Sequence, residues 1–288
     1  MNKILSTLAL AGLAGSSLAF AEIPGLAIKA KVDFESEYVF RGKEHSDENV
    51  QTTVMGDYAL PVAGDGASLY AGAFLMSPIT QTANEAVIFG GVKTQLEQIH
   101  LEAGYTYYGY PNRNDNGVGG QGGSINPVTN RAVYTDSHEI SLGGVYTGEF
   151  ASNVATPSLY FHYNFDLQQL TTEGALRRSF GSDLHGIDGV EFIFSGFAGY
   201  VSSRSYNGDN RQGVEQWINS YAYCGATADI AYNVSATSRV GAGVRYTWNK
   251  DGDANDAGAL AGDASGNSRL AGNTDTNFWY GIWAEFKY

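Results

Sequence analysis

The chain has 288 residues, with 30 Asp and Glu against 17 Lys and Arg, and a formal net charge of −13. This acidic balance argues against a nucleic-acid partner, because phosphates are bound by an excess of Lys and Arg. The single cysteine excludes an internal disulfide framework and any metal site built from several cysteines. The 37 glycines, 19 tyrosines and 14 phenylalanines favour a fold of strands and turns.

The amino terminus has the pattern of a cleaved secretory signal peptide over residues 1–21. Lys3 supplies the positive start, residues 4–18 form a short apolar run, and Ala19-Phe20-Ala21 matches a cleavage site. A membrane anchor is the alternative, but the run is too short for it and ends in small residues. We therefore predict an exported mature chain, residues 22–288, with a net charge of −13 − 1 = −14 because Lys3 is lost.

Apolar and polar residues alternate with period two in the mature chain, which predicts strands with one apolar and one polar face. From Ile28 to Arg41 the even positions are mostly apolar and most odd positions are charged, and residues 234–248 and 276–288 alternate in the same way. Eleven strands stand out at once. They are 27–41, 50–60, 67–76, 84–96, 98–110, 136–149, 156–167, 188–202, 214–228, 233–248 and 276–288.

An odd strand number conflicts with the even number found in bacterial single-chain barrels, whose two termini lie on the periplasmic side. The polar segment Gln169 to Phe180 also alternates and supplies a twelfth strand. With twelve strands, the two long connections 111–135 and 249–275 both fall on the outer side, as is typical of such barrels. The short turns of the periplasmic side then include residues 229–232.

A secreted β-sandwich would alternate too, since one face of each sheet packs on the other sheet. Strands of about ten residues and aromatic residues at strand ends favour a membrane barrel instead. The chain also ends in Phe286 and Tyr288, which resemble the carboxy-terminal signal presented to the barrel-assembly machinery. We predict an all-β fold, a transmembrane antiparallel up-and-down barrel of twelve strands. Its predicted place is the bacterial outer membrane, in contact with outer-membrane lipid after export through the periplasm.

Charged residues on the predicted inner face are the candidate binding residues. They are Glu37, Arg41, Glu173, Arg177, Arg239 and Arg245. Opposed charges in a narrow lumen would form a constricted channel for small hydrophilic solutes or ions, with a mild cation preference. The alternative is a network of ion pairs that fills the barrel, whose outer loops bind a partner or support the envelope.

Other chemistry has weak support in the sequence. A loop with Asp251, Asp253 and Asn255 resembles the start of a calcium loop, but lacks its glycine and its final glutamate, so a solvated acidic loop is favoured. His138 is the only histidine predicted to face the lipid, and no serine motif flanks it. We predict no cofactor, no bound metal and no enzymatic activity.

The first strand and loop also carry a recognisable motif. Its positions are Ser36, Tyr38, Arg41, Gly42, Ser46 and Asp47, in the order Ser-x-Tyr-x-x-Arg-Gly-x-x-x-Ser-Asp. This opening resembles the Gcw_chp or TorF-type family of outer-membrane porins, most specifically over residues 34–58. The resemblance implies an outer-membrane barrel but no particular substrate. Arg41 would then pair with Glu37 to hold the first loop over the mouth, or contact an anionic solute.

Overall fold

The computed structural model describes most of residues 23–288. The described residues are 23–61, 66–79, 84–111, 125–126, 131–132, 136–166, 168–203, 220–249 and 276–288. The predicted signal peptide and the candidate calcium positions Asp251, Asp253 and Asn255 lie outside these ranges.

The described secondary structure is almost entirely β. In chain order the strands are β1 (Leu26–Glu35), β2 (Tyr38–Phe40), β3 (Lys43–Ser46), β4 (Asn49–Ala59), β5 (Ser68–Pro78), β6 (Glu85–Leu96), β7 (Ile99–Gly109), β8 (Ile125–Asn126), β9 (Arg131–Ala132), β10 (Ser137–Tyr146), β11 (Thr156–Asn164), β12 (Gln169–Phe180), β13 (Val190–Ser203), β14 (Tyr221–Asn233), β15 (Ser238–Asn249) and β16 (Thr276–Lys287). Two short helices, α1 (Glu149–Asn153) and α2 (Ser182–His185), lie in connections. Neither of these described helices has the length and apolar character needed to cross a membrane.

Twelve of the described strands form one closed antiparallel barrel, which confirms the predicted fold class and strand number. The sheet closes because β1 pairs with β4 on one side and with β16 on the other. Within β1, Ala30 lies opposite Val54 and also opposite Phe286. The remaining short strands form two separate hairpins, β2 with β3 and β8 with β9. Closure leaves the barrel without a free edge and excludes the sandwich.

The barrel wall has an apolar outside and a polar inside. Ile88, Leu142 and Phe278 point outward and are 60–63% exposed, whereas Glu139 and Glu285 point inward and are buried. This distribution is the inverse of that in a soluble protein and suits a wall that faces lipid. We call the end that holds the chain termini the terminal end, and the opposite end the loop end.

Two of the predicted strands differ most from the observed ones. The first strand ends at Glu35 instead of residue 41, because residues 36–48 leave the wall and turn into the barrel. The strand predicted at 214–228 runs instead from Tyr221 to Asn233, and the turn predicted at 229–232 lies at 234–237. Asp229 looks like a turn residue in the sequence, but it faces the lumen and accepts a hydrogen bond from Arg245.

Candidate functional site

A short hairpin folds from the loop end into the barrel. We call residues Tyr38–Ser46, which comprise β2, β3 and the turn between them, the lumen hairpin. Its turn contains Arg41 and Gly42, which have φ of 52° and 76°. Gly42 is required there for two reasons: its φ is positive, and a Cβ on it would lie 2.6 Å from Cβ of Tyr223. The Arg-Gly pair of the sequence motif therefore marks the tip of an inward turn.

The tip of the hairpin is held by a bidentate ion pair with the opposite wall of the barrel. Nη1 and Nη2 of Arg41 donate to the two carboxylate oxygens of Glu139 at 2.9 and 2.8 Å. Tyr108 also donates to this carboxylate at 3.1 Å, and Nδ1 of His162 lies 3.4 Å away. Glu139 belongs to β10, which is five strands from β1 in one direction around the barrel and seven in the other. The hairpin therefore spans most of the lumen.

Further contacts fix the hairpin to other parts of the wall. Nδ2 of Asn249 on β15 donates to the backbone oxygen of Gly42 at 2.8 Å. The hydroxyl of Tyr38 donates to Glu85 on β6 at 3.3 Å, and the Tyr38 ring lies 6.0 Å from that of Phe74 on β5. The hairpin is thus attached to the wall on several sides.

The structure places Glu139, and not Glu37, against the Arg41 guanidinium. Burial lowers the pKa of Arg41, but the Glu139 carboxylate raises it by more, so the pKa lies above its ordinary value and the cation is retained.

Glu37 lies before the hairpin with one carboxylate oxygen buried and unbonded among the described residues. Burial, followed by the charge of Asp47, raises the pKa of Glu37. Since this carboxyl protonates more easily here than in an unfolded segment, acidic pH favours the folded state at this position.

The predicted arginines Arg239 and Arg245 lie on the opposite part of the inner surface, both in ion pairs. Arg245 lies 3.3 Å from Glu35 and 2.9 Å from Asp229. Arg239 lies 2.7 Å from Glu285. Their guanidinium charges are therefore largely neutralised by neighbouring carboxylates.

The same surface contains lysines from β1. Lys29 lies 2.6 Å from Glu285, and Lys31 forms an ion pair with Asp33. The ring of Trp283 lies between Lys31 and Arg239, at 5.4 and 5.3 Å from its centroid. We call this surface, built from β1 and β13–β16, the ion-pair wall.

A cavity of about 490 Å³ lies beside the hairpin, against the other half of the barrel. We call it the lumen cavity; its polar lining includes Arg41, Lys93, Glu102, Glu139, His162 and Glu173. Its apolar lining comes mainly from aromatic rings, among them Phe89 and Tyr160. Of the six predicted binding residues, Arg41 and Glu173 thus meet at one cavity, while Arg239 and Arg245 belong to the ion-pair wall.

Glu173 and Arg177 share the inner face of β12 but have different surroundings. Glu173 accepts a hydrogen bond of 2.5 Å from the hydroxyl of Tyr223. Arg177 is exposed nearer the terminal end, and no ion pair joins it to Glu173 in the described structure. Sequence alternation identified both as inward-facing but did not identify Tyr223 as a partner.

Aromatic rings in the lumen lie against glycines on the neighbouring strand. In each such pair the two residues are directly opposite in register, and a Cβ added to the glycine would overlap the ring. The pairs are Gly72 with Phe89, Gly143 with Tyr160, Gly199 with Tyr223, Gly225 with Phe197, and Gly241 with Trp283. These contacts explain part of the high glycine and aromatic content, because each glycine leaves room for a ring to lie along the wall.

Replacing Gly143 with alanine is expected to destabilise the barrel by about 1–3 kcal/mol, the usual cost of overpacking, because the new methyl group overlaps Tyr160. The measurement is the urea midpoint of the protein refolded in liposomes. Gly174→Ala is the matched control, since the nearest atom to its Cβ would be 3.7 Å away. Equal midpoints for the two variants would contradict the overlap.

The chain end completes the closing seam of the barrel. The N–H of Tyr288 donates to Ile28 at 2.9 Å, and the N–H of Ile28 donates back to Tyr288 at 3.0 Å. Phe286 lies opposite Ala30 in register on the lipid-facing side of β16. The role of Phe286 and Tyr288 as an assembly signal stays a prediction.

The other chemical candidates are located as follows. His138 faces outward, as predicted, and its Nδ1 lies 2.5 Å from the hydroxyl of Tyr105. Within the described ranges, no group of three or more His, Cys, Asp or Glu side chains is arranged to hold a metal ion.

No protein-family model matches the sequence, and no curated protein matches it either. Among solved structures, the COG4313 outer-membrane channel from Pseudomonas putida F1 is similar, with a TM-score of 0.51 and 11% identity over 95% of this chain and 99% of that one. The KdgM porin gives a TM-score of 0.45 and 8% identity over 90% of this chain and 98% of its own. The NanC porin gives a TM-score of 0.44 and 9% identity over 90% of this chain and 98% of its own. The closed twelve-stranded sheet and the similarity to the COG4313 channel show that the chain has the fold of an outer-membrane barrel.

Proposed function

We propose that this protein is a non-enzymatic outer-membrane channel for passive diffusion of small hydrophilic solutes or ions, with a mild preference for cations. The observation that carries the proposal is the lumen cavity, a space of about 490 Å³ lined by charged side chains and aromatic rings inside a closed barrel with an apolar exterior. A barrel that served only as a stable anchor would have no need of such a space. The sequence motif over residues 36–47, which includes the lumen hairpin, supports placing the chain in the Gcw_chp or TorF-type porin family.

The lumen hairpin forms the constriction of the proposed channel. It reaches from β1 to Glu139 on β10 and to Asn249 on β15, so a solute entering from the loop end has to pass beside it. The Arg41–Glu139 pair is largely shielded from solvent, with 12% and 3% of the two side chains exposed. The size of the opening is therefore set by how this hairpin is held.

Cation preference follows from how the lumen charges are paired. The guanidinium groups of Arg41, Arg239 and Arg245 all lie against carboxylates. Glu102 and Glu173, by contrast, have no cationic partner within ion-pair distance among the described residues. Their negative charges remain to attract cations, because fixed charges in a pore set its selectivity.

A non-channel barrel is the second candidate, and the anchoring of the hairpin favours it. The hairpin contacts β5, β6, β10 and β15, and the ion-pair wall adds further bulk on the other side. In that case the outer loops would bind a partner or support the envelope. A deletion strain with normal solute uptake and a damaged envelope would favour this second function.

Planar-bilayer recordings of the purified barrel test the proposal. We expect discrete unitary currents, and under a KCl gradient a reversal potential displaced towards the potassium equilibrium potential, since cations are preferred. Protein unfolded by heat before addition is the control. Absence of unitary currents from protein that is demonstrably folded would contradict the channel, and recovery of the protein in the soluble periplasmic fraction would contradict the membrane location.

A further inference from the structure

We propose that the lumen cavity binds a small organic cation, a primary amine or a quaternary ammonium compound. The inference rests on the proposed function, because the ligand enters through the lumen, and it deepens that function by naming a class of solute. It depends on two carboxylates, on the aromatic rings of the cavity and on the size of the cavity.

The first argument is that two cavity carboxylates have only neutral donors. Glu173 accepts from the Tyr223 hydroxyl at 2.5 Å. Glu102 lies close enough to the hydroxyls of Tyr70 and Tyr160 to interact with both. Tyrosine hydroxyls orient a carboxylate without cancelling its charge, so both groups attract a cation.

The cationic side chains of the cavity form ion pairs with carboxylates other than Glu102 and Glu173. Lys93 lies opposite Glu102 in register, but its ammonium group lies 2.9 Å from Asp57. The Arg41 guanidinium pairs with the Glu139 carboxylate, which also accepts a hydrogen bond from the Tyr108 hydroxyl. Among the described residues, the site therefore has negative charge that no side chain of the protein neutralises.

The second argument is that aromatic rings line the cavity. Phe89 lies against Gly72 and Tyr160 lies against Gly143, and both rings form part of the cavity lining. Rings in this region already accept cations from the protein itself, since the Lys93 ammonium lies 4.5 Å from the centroid of Tyr70. A cation over an aromatic face is attracted by the ring quadrupole.

The third argument is the size and composition of the cavity. A volume of about 490 Å³ lies within the range of small-molecule sites and far exceeds that of a bare ion. No described cluster of side chains is suited to a metal. A neutral sugar would leave the two carboxylates without a counterion, and an anion would be repelled by them. A compact organic cation satisfies both the charges and the rings.

Calorimetric titration of the detergent-purified barrel with choline chloride tests this inference. Glucose and sodium acetate are the neutral and anionic comparison solutes. We expect choline to bind and the other two not to bind. The variants Glu102→Gln and Glu173→Gln should each weaken choline binding by about tenfold, the loss of one favourable charge contact. Gln keeps an acceptor for the tyrosine hydroxyls, so the pocket is preserved.

Glu191→Gln is the matched control, because it removes the same charge from the ion-pair wall, where Glu191 lies 3.4 Å from Arg239. It should bind choline as the unaltered protein does. Equal binding of glucose or acetate, no binding of choline, or full binding by both cavity variants would overturn the inference. Calorimetry measures binding independently of conductance. A barrel that conducts but does not bind choline therefore contradicts only this inference. A barrel that binds choline without conducting contradicts only the channel.

Discussion

Replacing Arg41 with alanine is expected to raise the unitary conductance severalfold and to make the open current noisier. Arg41 and Glu139 form a buried, two-pronged pair that fixes the tip of the lumen hairpin to the far wall. Removing one partner of such a pair typically costs about 3–5 kcal/mol, because the other charge is left buried and unpaired. The hairpin should then leave the lumen for part of the time. Single-channel recording in planar bilayers measures both effects.

Arg177→Ala is the control for this experiment. It removes the same side chain from the same inner surface, but Arg177 is exposed and has no ion pair with Glu173 in the described structure. Its conductance should stay near that of the unaltered protein. Asn249→Ala removes the hydrogen bond to Gly42 and should raise conductance in the same direction as Arg41→Ala. A folded Arg41→Ala barrel with unchanged conductance would rule out the hairpin as the constriction.

Deleting Tyr288 is expected to reduce the assembled barrel in the outer membrane to a small fraction of its normal amount. The deletion removes the two backbone hydrogen bonds with Ile28 that end the closing seam. It also removes the aromatic carboxy terminus that we predict the assembly machinery recognises. The measurement is the heat-modifiable band in SDS gels of membrane fractions, since a folded barrel migrates differently before and after boiling.

Tyr288→Phe is the matched control, because it keeps the ring and both backbone hydrogen bonds. It should assemble normally. Refolding of the deletion variant in detergent separates the two causes: normal refolding points to lost recognition, and failed refolding points to the seam. Normal assembly of the deletion variant in cells would show that Tyr288 is not part of the signal.

The sequence predicted the barrel wall well because each wall strand has a lipid face and a lumen face. Alternation is a local property, and it located even the polar strand β12, Gln169–Phe180, once an even strand number was required. The same property caused the error in the first strand. Residues 37–41 keep alternating although the chain has left the wall, since the lumen hairpin also has two faces.

The contacts that form the site are less accessible to sequence reasoning. Arg41 and Glu139 are 98 residues apart, and they meet only because the barrel closes and the hairpin crosses it. Glu139 is recognisable from alternation as an inward-facing acid, but nothing nearby in the sequence indicates Arg41 as its partner. Arg239 and Glu285 differ in this respect, since they lie opposite each other on adjacent strands and follow from the strand register.

The pairs of glycines with aromatic rings help to determine the diameter of the barrel. A slip of two residues between β10 and β11 would place Tyr160 opposite Ser141 or Val145 in place of Gly143, and the ring would meet a side chain. A slip of one residue would turn the glycine to the lipid side. The five pairs lie at four strand pairings, β5–β6, β10–β11, β13–β14 and β15–β16, and therefore disfavour a slipped register at each of these. Because strand stagger and strand number together fix the radius of a barrel, these glycines help to determine how wide the lumen is.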